Sequence, residues 1–150
     1  MKTVWSKLGQ IVYRLTLPGI YLVLMNSKRT RLVLLCKDKV LVVKPWLGNG
    51  RWSLPGGGIK KNESAEDALS REVKEEVGFK IPEKKYKKIT NATYRQDGLK
   101  FSYTLFGCII KKQVTPTISQ KEIVEAKWVS WDSLSVRNAN NDVITALKRI

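Results

Sequence analysis

The sequence predicts an α/β protein, and three observations carry that expectation. Apolar runs rich in β-branched and aromatic residues, at 32–36, 40–44, 86–94, 101–112 and 126–130, are spaced between segments of different periodicity. Between the second and third runs, Ala65, Ala68, Leu69, Val73 and Val77 fall at i, i+3, i+4, i+8 and i+12, the period of one helix face. The chain has 150 residues and 43% apolar content, enough to bury one ordinary core, so residues 1–150 are expected to form a single domain.

The elements follow in order. A few basic residues precede the run IVYRLTLPGIYLVLM from Ile11, which Arg14 and Pro18 interrupt. No small-x-small cleavage site follows, so the run is not a signal peptide, and fifteen residues are too few to span a bilayer. Pro18-Gly19 reads as a turn and 20–25 as a buried strand. The functional alternative for this stretch is a peripheral membrane contact flanked by Lys28, Arg29 and Arg31. Runs 32–36 and 40–44 form a hairpin about Lys37, Asp38 and Lys39. A loop at 45–50 carries Trp46, and an extended segment from Arg51 to Pro55 enters a row of glycines. Trp46 and Arg51 are candidate substrate contacts, because an aromatic face or a guanidinium there could stack on a base.

Beyond Phe79, Ile81-Pro82 breaks the chain, and two strands are joined through Arg95, Gln96, Asp97 and Gly98. The density of FSYTLFGCII marks an interior strand. A polar loop at 116–120 delivers Lys121 to Glu125 to the next strand; Asp132 is a cap candidate, and Asn141 or Asp142 starts a closing helix through VITALKRI.

Charge and cysteine content bound the chemistry. Net charge is +15, distributed unevenly: residues 1–61 carry twelve Lys/Arg against one Asp, whereas residues 62–78 carry two against six carboxylates. A basic body around an acidic island is expected to draw polyphosphates, and a charge of +15 is sufficient for non-specific binding of nucleic acid or of an anionic membrane at low salt, which leaves both open. Cys36 and Cys108 lie far apart inside apolar runs and are expected as buried free thiols in a reducing, cytoplasmic setting. The chain has no histidine, so carboxylates must do any acid–base work.

The acidic island is built on the helical segment. Ser64 is placed to cap it, with Asp67 three residues on, and Gly78 ends it. At about 100° per residue, Glu72, Glu75 and Glu76 share roughly a third of a turn at the edge of the apolar stripe. Such like-charge neighbours cost about 0.2–0.5 kcal/mol per pair in water and more when desolvated. A compensating cation is therefore expected, and hard oxygen donors of this number suit Mg²⁺ or Mn²⁺.

The spacing Gly57, five residues, Glu63, seven residues, Arg71-Glu72, then Glu75-Glu76, Val77, Gly78 and Phe79 resembles the signature of the Nudix hydrolase superfamily. Phe79 stands where a bulky aliphatic is usual, a difference that touches packing. The resemblance implies a mixed β-sheet sandwiched between α-helices and cleavage of a nucleoside diphosphate linked to another moiety. It implies metal ligation by Glu72, Glu75 and Glu76 with the backbone carbonyl of Gly56, and an ion pair between Glu63 and Arg71 that holds the loop to the helix. Glu75 and Arg71 belong to the implied catalytic group. Glu122, six residues before Trp128, is the implied base or further ligand, with Glu125 as runner-up. The expected partner is a nucleotide-type polyphosphate, and nucleic acid enters only as a capped or non-specific ligand. A catalytically silent nucleotide-binding or RNA-binding module is the competing reading, which the intact glutamate set disfavours.

Overall fold

A computed structural model describes residues 2–82 and 85–150; Met1, Glu83 and Lys84 lie outside the described residues. The β-rich runs pair much as their patterns predict. Strands β1 (Lys28–Cys36) and β2 (Lys39–Pro45) form the first hairpin, with Cys36 opposite Lys39. Strands β3 (Tyr86–Gln96) and β4 (Leu99–Ile109) form the second. Its turn residues Asp97 and Gly98 both have positive φ, 52° and 79°, as the two-residue hairpin turn requires. With β5 (Ile123–Ser130) the order is β3-β4-β1-β2-β5. Strands β1 and β4 run parallel and the other neighbours antiparallel, so the sheet is mixed.

Helices cover both faces. Alternate residues of the two central strands point opposite ways. Leu32, Leu34, Leu41 and Val43 meet Leu69, Val73 and Val77 of helix α2 (Ala65–Val77). Val33, Leu35, Val40 and Val42 share the opposite core with Tyr13 of α1 (Lys2–Leu24) and with Val143 and Ala146 of α3 (Asn141–Leu147). Burial on both sides explains why β1 and β2 read as continuous apolar runs. Cys36 and Cys108 are buried free thiols, as expected.

The amino-terminal expectation is corrected. Residues 2–24 form one helix with Pro18 inside it, replacing the predicted turn at Pro18-Gly19 and strand at 20–25. A proline in a helix removes one backbone bond and crowds the carbonyl four residues back, at a cost of about 3 kcal/mol. Here Pro18 is exposed, so water can reach the freed carbonyl, while Leu17, Ile20 and Leu24 pack on the sheet and carry the helix through. The flanking residues of the membrane alternative also sort differently: Lys28 is exposed, but Arg31 is buried. Element boundaries shift as well, β1 starting at Lys28, β3 running to Gln96 and β5 starting at Ile123. The predicted strand 101–112 occupies Leu99–Ile109, the closing helix stops at Leu147, and Asp132 lies inside the 3-10 turn Trp131–Ser133 without capping it. Among the described residues no helix is long and apolar enough to cross a membrane.

Candidate active site

The site begins where the central hairpin splits. Strands β1 and β2 pair only at Leu35–Val40 and Cys36–Lys39, then diverge, and the segment from Ser53 to Ile59 fills the gap. On one side the Ser53 amide donates to the Val43 carbonyl at 2.8 Å. On the other, the amides of Leu32 and Thr30 donate to the carbonyls of Pro55 and Gly57, both at 2.9 Å, and the Ile59 amide donates to the Lys28 carbonyl at 2.9 Å. These bonds satisfy the backbone groups that the splayed strands expose.

Glycine is required twice in this wedge. Gly56 has φ +133°, and a Cβ on it would lie 2.2 Å from the Thr30 carbonyl oxygen. A Cβ on Gly57 would lie 2.2 Å from the carboxyl carbon of Glu72, so the missing side chain makes the cradle for that carboxylate.

Helix α2 supplies the carboxylates. Its start is capped as the sequence predicts: the Asp67 amide donates to Ser64 Oγ at 3.0 Å, and the hydroxyl donates in turn to Asp67 Oδ2 at 2.7 Å. Gly78, left-handed with φ 78°, closes it. Arg71 then gathers most of the motif around one guanidinium. It donates to Glu63 through Nε at 2.8 Å and Nη2 at 2.9 Å, and to the Gly58 carbonyl at 2.9 Å. Nη1 donates to Glu72 at 2.8 Å and to Glu75 at 3.3 Å. The bidentate pair holds the loop to the helix. The Arg71 bond and the Lys60 amide pull the Glu63 carboxyl down to about 2. Arg71 is raised correspondingly.

Glu76 points inward from the same helix and is 9% exposed. Its Oε2 accepts from the Gly56 amide at 2.8 Å. Burial pushes its carboxyl up to about 8; the Gly56 amide and Arg31 oppose the rise, and the negative Glu72 adds to it.

Arg29, Arg31 and Asp142 complete the site and escaped the motif-based reading. Arg31 donates to the carbonyls of Gly56 and Thr30, and its Nε pairs with Asp142 Oδ2 at 3.0 Å. Asp142, at the first turn of α3, also accepts from the Leu54 and Val143 amides, at 3.2 and 2.9 Å. Burial raises the Asp142 carboxyl, and the Arg31 charge and these amides pull it back. Arg29 lies over the Phe101 ring at 5.3 Å, and its buried Nε has no hydrogen-bond partner among the described residues. Burial, then the charge of Arg31, brings Arg29 down to about 10. Both arginines line a cavity of about 260 Å³ with Gly56, Glu76, Asn49 and Asn140, roofed by Tyr13, Ile20 and Leu24 of α1. The available signal was the alternation Arg29, Thr30, Arg31 at the start of an apolar strand, which sets two cations on one side of a buried element.

None of the remaining expected residues bonds to the charged groups of this cluster among the described residues. Glu122 lies in the turn before β5; its backbone carbonyl accepts from the Trp46 amide at 2.7 Å, and its exposed carboxylate has no bonded partner among the described residues. Glu125 pairs with Lys44 and Lys127, each at 3.4 Å. Trp46 stacks on Trp5 of α1 with ring centroids 5.0 Å apart. Arg51 shows only a backbone bond, its amide donating to Asn49 Oδ1 at 3.0 Å, and it does not line the cavity.

The donor set fits a hard divalent cation. Glu72 in its glycine cradle and Glu76 at the buried end present carboxylate oxygens whose mutual repulsion a cation relieves. The Gly56 carbonyl, already bonded to Arg31, keeps a second lone pair. Among the described residues no three acidic side chains converge as a ready metal cluster; Arg71 holds Glu72 and Glu75.

Comparison with known proteins places this geometry. The family profile described as NUDIX domain matches residues 15–148. Among curated relatives, the mRNA-decapping enzyme subunit 2 of Arabidopsis thaliana is 33% identical over 72% of this chain and 28% of its own. An RNA pyrophosphohydrolase of Teredinibacter turnerae is 35% identical over 54% of this chain and 41% of its own. The chain therefore spans less than half the length of these two relatives. The nucleoside triphosphatase NudI of Escherichia fergusonii is 32% identical over 61% of this chain and 70% of its own. Among solved structures, the MutT NUDIX hydrolase of Burkholderia pseudomallei superposes with TM-score 0.73 at 18% identity, covering 83% of this chain and 98% of its own, a likeness of fold.

Proposed function

The chain belongs to the Nudix family, and on that premise we propose that residues 1–150 act as one pyrophosphohydrolase domain on a nucleotide-type polyphosphate, with Mg²⁺ or Mn²⁺ as cofactor. The observation that carries this reading is the set of bonds around Arg71. One guanidinium ties Glu63, Glu72, Glu75 and the Gly58 carbonyl together beside the buried Glu76. A solvated charged face would not place carboxylates against a glycine wedge or bury one of them.

Glu72, Glu75 and Glu76 would hold the cation, with the Gly56 carbonyl as a further donor. When bound, the ion supplies Lewis-acid polarisation of phosphate oxygens and lowers the pKa of an attacking water. Arg29 and Arg31 face the cavity and bind phosphate; the unpartnered Arg29 Nε is the donor available to it. Asn49 and Asn140 line the same cavity with their amides already engaged, Asn49 donating to Asp97 and Asn140 and Asn140 donating to Ser53, so they shape the cavity wall. Glu122, exposed and with no bonded partner among the described residues, is our proposed acceptor of the attacking water's proton, a role that requires the substrate complex to bring its carboxylate within hydrogen-bond reach of that water. Relatives carry names that refer to RNA ends and to nucleoside triphosphates, and both substrate types present the same linked phosphates.

The test is release of phosphate and nucleotide from nucleoside triphosphates, nucleotide sugars, dinucleoside polyphosphates, and 5′-triphosphorylated and capped RNA. Each is assayed with Mg²⁺, with Mn²⁺ and with chelator. Metal-dependent turnover of one class supports the proposal and names the substrate. Tight binding of a panel member without turnover would instead make the protein a nucleotide-binding or RNA-binding module.

A further inference from the structure

Helix α1 has two faces, and the fold uses only one. Tyr13, Leu17, Ile20 and Leu24 pack inward on the sheet core. On the opposite side Val4, Leu8, Ile11, Leu15 and Leu22 are 72, 45, 55, 77 and 70% exposed. Their spacings of four, three, four and seven set all five within an arc of about 60°, a single stripe along a helix roughly 34 Å long. A contiguous apolar stripe of this length is unusual on a monomer's surface. The family profile begins at residue 15, so the first half of the stripe lies outside the part shared with the family.

The charges say what the stripe meets. Residues 2–24 contain no acidic side chain; Lys7 and Arg14 sit on one edge of the stripe, and exposed Lys28 follows the helix. The aromatic residues Trp5 and Tyr21, 46 and 38% exposed, stand near its two ends. Pairing the stripe with a second copy would bring two bodies of net charge +15 together, with no acidic residue on either helix to offset them. An anionic lipid surface meets both halves of the pattern, the aliphatic stripe entering the acyl boundary and the cations its headgroups.

We infer that α1 docks the protein on anionic membrane surfaces, lying in the plane of the interface with Val4, Leu8, Ile11, Leu15 and Leu22 buried in lipid. The docking uses a face that the candidate active site does not, and it stands whether or not the chain hydrolyses nucleotides.

The test is flotation of the full chain with vesicles of phosphatidylcholine alone and with about 30% phosphatidylserine, at about 0.15 M salt. The L8E/L15E variant is run in parallel, with circular dichroism to show that it folds and size-exclusion chromatography to give the oligomeric state of both proteins. The expected result is flotation with the anionic vesicles only, reduced at least tenfold in the folded variant, with both proteins monomeric. Three results would overturn the inference: no flotation of the wild type, equal flotation of the variant, or a wild-type dimer that the variant converts to monomer. Equal flotation would assign the binding to the general charge of +15, and the dimer would assign the stripe to self-association. Should the variant fail to fold, the milder L15Q variant replaces it and is read the same way.

Discussion

Asp142→Asn perturbs the contact that joins the closing helix to the glycine wedge. Asp142 is fully buried, and three donors face its two oxygens: Arg31 Nε and the Leu54 amide on Oδ2, and the Val143 amide on Oδ1. Asparagine matches the volume but has one acceptor oxygen and one NH₂, so a donor must face a donor on one side. It also leaves Arg31, 8% exposed, with neutral acceptors only and no counter-charge. Removing one member of a buried pair costs about 3–5 kcal/mol, a large part of the roughly 5–15 kcal/mol that holds a domain folded. With a urea dependence of about 2 kcal/mol per molar, the unfolding midpoint should fall by roughly 2 M, read by circular dichroism. The double variant Arg31→Met with Asp142→Leu removes both charges together and should recover most of that loss, although the cavity then lacks one arginine. A midpoint shift below about 0.5 M for Asp142→Asn, or a double variant as unstable as the sum of the single changes, would refute the assignment of a coupled buried pair.

The other predictions concern the carboxylates and their cradle. Changing Glu75 or Glu76 to Gln should lower turnover at saturating Mg²⁺ at least 100-fold with the circular dichroism spectrum retained, and near wild-type turnover in either would remove that residue from the metal set. Gly57→Ala should lower activity more than tenfold by displacing the Glu72 carboxylate while costing only about 1 kcal/mol of stability, because the atoms displaced are the end of a flexible side chain. Gly56→Ala should cost several times more stability, since its Cβ meets the Thr30 backbone carbonyl and its φ is +133°. For Glu122→Gln, the expectation is a fall in kcat of about 100-fold with KM and the unfolding midpoint unchanged; an unchanged kcat would take the proton-accepting role away from Glu122.

The sequence alone determined α2, its cap and its glycine stop, because those depend on local spacing and on single residues in single conformations. It determined the two hairpins for the same reason, and the resemblance carried by the motif supplied the mixed sheet between helices and the Glu63–Arg71 pair. The amino-terminal helix is not legible locally, because Pro18 is a strong local breaker whose cost is offset by long-range packing of Tyr13, Leu17, Ile20 and Leu24 that no local window contains. The partners of Arg31 and the surroundings of Glu76 were beyond the sequence as well. Arg31 meets Asp142 across 111 positions, and Glu76 meets the Gly56 amide across 20. Tertiary structure decided these contacts because the splitting of β1 from β2 admits the glycine wedge, and that wedge brings a helix carboxylate, a strand arginine and the closing helix to one cavity.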